Sequence, residues 1–369
     1  MSVFLAKVPY ILAAILVFGI LIAVHELGHF LAAKLCGVQV NEFSIGMGPC
    51  LWKRQKGETQ YSWRLLPIGG FCAMEGEGEE SDSPRALGKQ GFWKRLLIFA
   101  AGAGMNFLTG LLIIAILFAG AAGFYVDAVL DTAPELEAVE EGLIQPGDRF
   151  YKVNGYRAYV KGDTEMYLTY AGDTAEIEFV RENGEHYQVE LQKRDCTSMD
   201  GKSYRGFGIY VTGALVVSDG VGTWLRYVWY QTVDYVQLVW FSLRQLVTGG
   251  ASMDDVGGPV AIVSTITDVG MESQQQAEAN DQNGTLAAIR SIASFAALIA
   301  VNLAVMNLLP IPALDGGHIL FLILDTLAAK LFRRRIPAKY ENAISSVFLV
   351  ALMGFMLFVT AHDIFKLIR

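Results

Sequence analysis

The sequence predicts a multi-pass α-helical membrane protein of about four transmembrane helices, with a membrane-associated β-hairpin region and an inserted extracytoplasmic α+β domain. Three observations predict it. Of 369 residues, 53% are hydrophobic and 18% charged, with a mean hydropathy of +0.37; an ordinary soluble chain carries about 25% charged residues. The apolar residues concentrate in blocks around 8–35, 96–122, 291–309 and 343–361, each near the ~20 residues that cross a bilayer. Between the second and third blocks lies a polar stretch, Gly123 to Gly222, with 18 Asp/Glu against 9 Lys/Arg.

The chain divides accordingly. Residues 1–36 form a first transmembrane helix. Its length and embedded histidines, with no small-residue cleavage site after it, argue against a removable signal peptide. Residues 37–90 form a cytoplasmic-side β-hairpin region and a mobile loop. Short β-prone runs (Val38–Val40, Tyr61–Leu65, Phe71–Met74) are punctuated there by Gly46, Gly48-Pro49, Gly57 and Gly69-Gly70. A second span covers 91–123, and the inserted domain 124–217 has strand-like runs at Ala175–Val180 and Tyr187–Leu191 around the turn Glu182-Asn183-Gly184. Residues 218–285 are an interfacial helix and linker. Trp224, Tyr227, Trp229, Tyr230, Tyr235 and Trp240 favour the membrane–water boundary, although a fifth span is the alternative reading. Residues 286–324 are the third span, 325–342 a basic cytoplasmic loop and 343–369 the fourth span.

Lysine and arginine mark the cytoplasmic side of span ends. Lys53, Arg54, Lys56, Arg64, Arg85, Lys89, Lys94 and Arg95 lie between the first two spans, and Lys330, Arg333, Arg334, Arg335 and Lys339 between the last two. Residues 123–285 are therefore expected outside. Nothing in the charge pattern points to nucleic acid. The four cysteines, Cys36, Cys50, Cys72 and Cys196, show no CxxC spacing and read as structural.

The chemistry concentrates in His25-Glu26-Leu27-Gly28-His29, inside the first apolar block. Ionisable groups at mid-bilayer cost at least ~2.5 kcal/mol each, so they mark function. Residues four apart share a helix face, so His25 and His29 are placed to bind one zinc ion. Glu26 is placed to activate water on that metal. Chance alone would produce HExxH in about one chain in a hundred of this length, and rarely inside an apolar span. Catalytic zinc takes three protein ligands. The third candidate is Asp315 in Asn307-Leu308-Leu309-Pro310-Ile311-Pro312-Ala313-Leu314-Asp315-Gly316-Gly317, where Pro310 and Pro312 should interrupt the helix. The bland reading makes Asp315 a cap. His318 is a candidate to orient a ligand through its other ring nitrogen. Gly102, Gly104 and Gly110 read as close-packing positions of the second span.

Two resemblances follow from these residues. The run Gly142-Leu143-Ile144-Gln145-Pro146-Gly147-Asp148-Arg149-Phe150-Tyr151-Lys152-Val153-Asn154-Gly155 resembles the signature of PDZ domains. Gly206, Phe207, Gly208 and Ile209 then offer a glycine-rich loop to capture a peptide carboxylate. Across nearly its whole length the chain resembles the bacterial site-two proteases, zinc intramembrane proteases typified by the regulator of sigma-E protease. HELGH, Leu66–Phe71, Gly257-Gly258-Pro259-Val260 and the Asn307–Gly317 block carry that resemblance. It implies Zn2+ held by His25, His29 and Asp315, with Glu26 as general base. It also implies that Asn302, Asn307, Pro310, Pro312 and Asn106 handle substrate. Ala103 stands where the family usually has proline.

The implied activity is endoproteolysis of transmembrane segments in single-span proteins, of anti-sigma-factor or remnant-signal-peptide type. An upstream site-one-type protease would cut first, and the location would be the bacterial cytoplasmic (inner) membrane. The competing reading is a non-catalytic scaffold that binds carboxyl termini and carries a structural zinc. Retention of Glu26 opposes it, because a structural site has no use for a base. A metal transporter is a third and weaker reading.

Overall fold

The computed structural model describes residues 2–78, 81–136, 143–198, 201–217, 220–250, 257–333 and 337–368. Gly142, Arg334 and Arg335, drawn on in the sequence reading, lie outside the described residues, as do Glu79 and Glu80 of the expected loop. Two units emerge, Met1–Ile113 with Ala251–Arg369, and Ile114–Gly250.

The first unit holds α1 (Ser2–Cys36), the strands β1 (Val40–Lys56) and β2 (Thr59–Met74), and most of α2 (Phe92–Leu117). Among the described residues, four helical segments are long and apolar enough to cross a bilayer, Leu5–Cys36, Phe92–Leu117, Gly284–Asn307 and Lys339–Lys366. Their apolar side chains face outward in numbers that lipid, not water, would cover: Leu16 is 63%, and Val350 and Leu357 each 70% exposed.

β1 and β2 join at Gly57, whose φ of +63° suits a tight reversal that other residues resist. The two strands are so long that each pairs twice. Val40–Ile45 lies centrally, with Gly70–Met74 on one side and Gln60–Trp63 on the other, while Cys50–Lys56 flanks Thr59–Arg64. The result is four strand segments with Gly70–Met74 at one edge. Val38, Val40, Cys72 and Met74 bury with Ala32, Ala33, Ile98 and Phe99, anchoring this edge on α1 and α2.

The segment after β2 is tethered, contrary to the expected mobile loop. Ala86 and Leu87 are buried, Leu87 N–H donates to Glu75 O at 2.8 Å, and Arg85 pairs with Glu58 at 2.8 Å. The sequence hid this because the anchors lie on β1–β2, remote in sequence from a polar, glycine-rich stretch.

In the second unit, β3 (Gly123–Thr132), β4 (Arg149–Val153), β5 (Tyr156–Arg157), α3 (Asp163–Thr169), β6 (Thr174–Val180), β7 (His186–Gln192), β8 (Arg194–Thr197), β9 (Ser203–Gly206) and β10 (Ile209–Val217) precede α4 (Val221–Thr248). The main sheet runs β10-β3-β4-β6-β7 with β5 on β4, and alternating residues (Ala175, Ile177, Phe179, then Val189 and Leu191) fill its core. Aromatic α4 sends Phe241 into that core and stacks Tyr227 on Phe124 at 4.4 Å between centroids. Tyr227 and Phe241 therefore serve packing on the β-rich unit, while Trp229 and Trp240 are exposed.

The remaining chain returns to the first unit as α5 (Pro259–Ala279), α6 (Gly284–Asn307), α7 (Asp315–Phe332) and α8 (Ala338–Ile368). Three expectations change here. Residues 271–285, read as a polar linker, are mostly the last turns of α5, where Gly270 packs on Tyr10 of α1 and Ala277 is buried. The 286–324 span is two helices, because Pro310 and Pro312 break the chain between α6 and α7. The basic 325–342 loop is largely helical, with Lys330 in the last turn of α7.

Candidate active site

Four-residue spacing on α1 brings the rings of His25 and His29 together, 4.8 Å between centroids. Their Nε2 atoms stand 3.2 Å apart. α7 begins at Asp315, and its Oδ2 lies 3.3 Å from Nε2 of His25 and 3.4 Å from Nε2 of His29. Donor atoms around a tetrahedral zinc, each about 2.0–2.1 Å from the metal, stand about 3.3–3.4 Å from one another. The three groups therefore fit a zinc ion. Asp315 Oδ2 is buried with no hydrogen-bond partner, an orphan that a cation would satisfy. Among the described residues these three form the one cluster with metal-ligand spacing.

α2 holds the histidines in place. His29 Nδ1–H donates to Ile98 O at 2.8 Å, leaving Nε2 free to ligate. Asn106, 1% exposed, sits 3.5 Å from His25 Nδ1 through its Nδ2, and its Oδ1 is buried without a partner. With the amide turned over, Oδ1 accepts from Nδ1–H, which satisfies the orphan and again leaves Nε2 for metal. Asn106, to which the resemblance gave substrate handling, thus stands against the candidate ligand His25.

Two glycines allow this approach. A Cβ at Gly28 would stand 2.4 Å from Ala101 O, and one at Gly102 would stand 2.3 Å from His29 Nε2 and 2.7 Å from His25 Cε1. Sequence reasoning assigned Gly102, Gly104 and Gly110 to packing. Gly110 does meet Val301 of α6 at 2.7 Å, and Gly104 faces open space, but Gly102 abuts the ligands themselves.

Asp315 is positioned by a chain that folds back on itself. After Pro310-Ile311-Pro312 the backbone turns at Ala313, φ +80°. A Cβ at Gly316 would strike Leu309 O at 2.1 Å, and one at Gly317 would strike Ile311 O at 2.5 Å. Only glycine fits under that loop. The first turn of α7 then carries the carboxylate at the positive end of the helix dipole.

Glu26 stands beside the cluster and faces the sheet edge. A Cβ at Gly70 would meet Glu26 Cγ at 3.3 Å, and the Cys72 amide hydrogen-bonds its carboxylate. Glu26, the candidate ligands His25, His29 and Asp315, and the Gly70–Met74 strand edge share one place.

The chain matches peptidase family M50 over residues 13–355. It belongs to that family. An M50 relative from Clostridium perfringens, named "Putative zinc metalloprotease", is 38% identical over 96% of this chain and 98% of its own length. Relatives of the same name from Clostridium acetobutylicum (33% identical; 96% and 97%) and Campylobacter jejuni (30%; 97% and 94%) also align nearly end to end. This M50 chain is therefore a zinc-dependent metalloprotease, and the four apolar helices among its described residues make it a multi-pass membrane protein.

Other singled-out residues lie apart from the cluster. Asn302 is exposed on α6 and Asn307 ends that helix, half-buried; Pro310 is exposed and Pro312 half-buried. Phe207 is buried in the β-rich core, Gly208 has φ +75°, and Ile209 opens β10. Nδ1 of His318 bonds Glu341 of α8 at 3.0 Å, and its ring stacks on Phe99. A cavity of about 840 Å³ opens there, lined by Glu77, Arg95, Phe99, His318, Asp325 and Glu341.

Proposed function

We propose that this protease cuts within the transmembrane segments of single-span membrane proteins after another protease has removed most of their external part. His25, His29 and Asp315 hold the zinc, and Glu26 is the general base. One observation carries the reading: ligating atoms 3.2–3.4 Å apart, the Glu26 carboxylate and the Gly70–Cys72 edge meet in a single membrane-embedded unit.

A peptide bond in a transmembrane helix is already closed by its own hydrogen bonds, so it must unwind before it can be attacked. The Gly70–Cys72 edge takes up the unwound segment as an added strand. That lays the scissile bond against Glu26. When bound, zinc supplies Lewis acidity, lowering the pKa of water and polarising a carbonyl. Glu26 accepts the proton of the attacking water and returns it to the leaving nitrogen. Asn302 in α6, and Asn307, Pro310 and Pro312 at the α6–α7 break, contact the unwound segment.

The β-rich unit acts as a PDZ-like, extracytoplasmic filter or reader of a new carboxyl terminus, with Gly206–Ile209 as its ligand loop. Substrates are of the anti-sigma-factor or remnant-signal-peptide kind, in the cytoplasmic membrane of a bacterium. The test compares the purified protein with Glu26→Gln on a tagged single-span substrate in detergent, quantifying zinc in both. Only the parent should cut, while both retain zinc. Cleavage by the variant at the parental rate removes Glu26 from the reaction. Failure of the parent on every truncated membrane anchor favours the carboxyl-terminus-binding scaffold.

A further inference from the structure

In an antiparallel strand the amide and carbonyl of every second residue point to the same side. Glu75 N–H turns inward to Gln39 O at 2.9 Å, so Gly70, Cys72 and Met74 present their groups outward, along the edge beside Glu26, whose carboxylate the Cys72 N–H already bonds. The outward pair of Met74 is already taken. Its N–H donates to the Glu77 carboxylate at 3.2 Å, and its carbonyl accepts from Glu77 N–H at 3.3 Å. Glu77 thus makes the two bonds that a residue of a neighbouring strand would make.

The turn that puts Glu77 there is built and held. Gly76 and Gly78 have φ of +70° and +76°, and a Cβ at Gly76 would meet Ala86 at 2.7 Å. Ser81 Oγ bonds Glu75 at 2.6 Å, and Asn342 of α8 donates to Gly78 O at 2.6 Å.

We propose that Glu77 is a register stop: by occupying Met74 it confines the N–H groups of an added substrate strand to the carbonyls of Gly70 and Cys72, and so fixes which peptide bond lies at Glu26. This rests on the edge-strand reading above. Strands that keep one face toward a site slip in steps of two residues, so an edge ending at Cys72 removes the register that a free Met74 would permit. Glu77 is a positioning residue, since it touches neither zinc ligands nor the reacting bond.

The test uses the full-length protein and a synthetic single-span substrate whose cut site is mapped by mass spectrometry of both products. Glu77→Ala should add a second cut two residues from the first. Glu77→Gln, which keeps an acceptor for Met74 N–H, should cut only at the parental bond. A single unshifted cut in Glu77→Ala, loss of all cutting with zinc retained, or the same second cut in Glu77→Gln overturns the stop. A measurement on the parent protein needs no variant. Substrate amides are replaced one at a time by esters, which removes the N–H; each lost bond should slow cleavage about 2- to 10-fold. Two positions, two residues apart, should respond, and the next in that alternation, opposite Met74, should not. A third responding position overturns the stop, whereas no responding position overturns the edge-strand reading itself.

Discussion

Gly102 and His29 leave no room for a methyl group between them: a Cβ at residue 102 would stand 2.3 Å from Nε2, the atom that faces Asp315. Helix α2 therefore reaches the metal-ligating cluster with bare backbone. Neither side can yield, because His29 is fixed on its far side by Ile98 O. Gly102→Ala should displace the ring that completes the cluster. Zinc content after dialysis should fall below half, and kcat/KM by about 100-fold or more, the upper range for disturbed ligand support. Gly104→Ala, which meets nothing within 4 Å, should change neither and is the matched control.

Asn106 supplies the second support. Replacing it with Leu removes the acceptor for His25 Nδ1–H without opening a cavity, so zinc affinity should weaken about 10- to 100-fold. Asn106→Asp keeps an acceptor and should retain most of the affinity. Competition with a chelator of known affinity measures both. Equal zinc affinity in Asn106→Leu and parent would remove the orienting role.

These two residues mark where the sequence stops being legible. Hydropathy blocks of about 20 residues and the HExxH spacing depend only on local order, so the four apolar helices and the candidate ligands could be read directly. Gly102 could not, since a glycine in an apolar helix looks the same against a histidine ring as against a neighbouring helix. The break at Pro310 and Pro312 was readable from proline chemistry, but the fold-back that demands Gly316 and Gly317 depends on Leu309 O and Ile311 O. The helical turns of 271–279 escaped because Glu272, Gln275, Gln276 and Glu278 are exposed, while Gly270 and Gln274 meet Tyr10, distant in sequence. Glu77 reads as one acid among several until Met74 is seen to need its bonds.

Asp363 of α8 explains Gly258, the glycine before Pro259. Its carboxylate accepts from Gly258 N–H at 3.1 Å and Ala261 N–H at 3.0 Å, capping α5 from another helix. A Cβ at Gly258 would meet that carboxylate at 2.7 Å. α5 in turn braces α1 through Gly270 against Tyr10 and through the Lys7–Asp268 pair at 3.3 Å. Losing a cap costs about 0.5–2 kcal/mol, and Asp363→Ala leaves two amides unbonded. Its midpoint of unfolding in detergent should drop, with Asp363→Asn intermediate. An unchanged midpoint in Asp363→Ala would show that the cap does not hold α5.

The β-rich unit contains a pH-sensitive contact between α3 and α4. Asp163 and Asp234 are buried against each other, 6% and 5% exposed. Burial first, and then the charge of Asp163, pushes the Asp234 carboxyl up to about 8; burial also raises Asp163. Asp127 lies close by, held by Gly162 N–H and Thr164 N–H, while Gln231 approaches Asp234 and Gln237 binds Tyr167. No cation appears among these named neighbours. A carboxyl whose folded pKa exceeds its unfolded value holds its proton in the folded state and releases it on unfolding. The contact is therefore strongest below the ordinary carboxylate range of about 4 and weakens as pH rises through about 8. Hydrogen exchange of α4 amides, corrected for intrinsic base catalysis, should show the opening equilibrium rising by up to roughly tenfold per pH unit in that window. Asp234→Asn should flatten the dependence and protect α4 at pH 9. A slope that persists in the variant would assign the sensitivity to other groups.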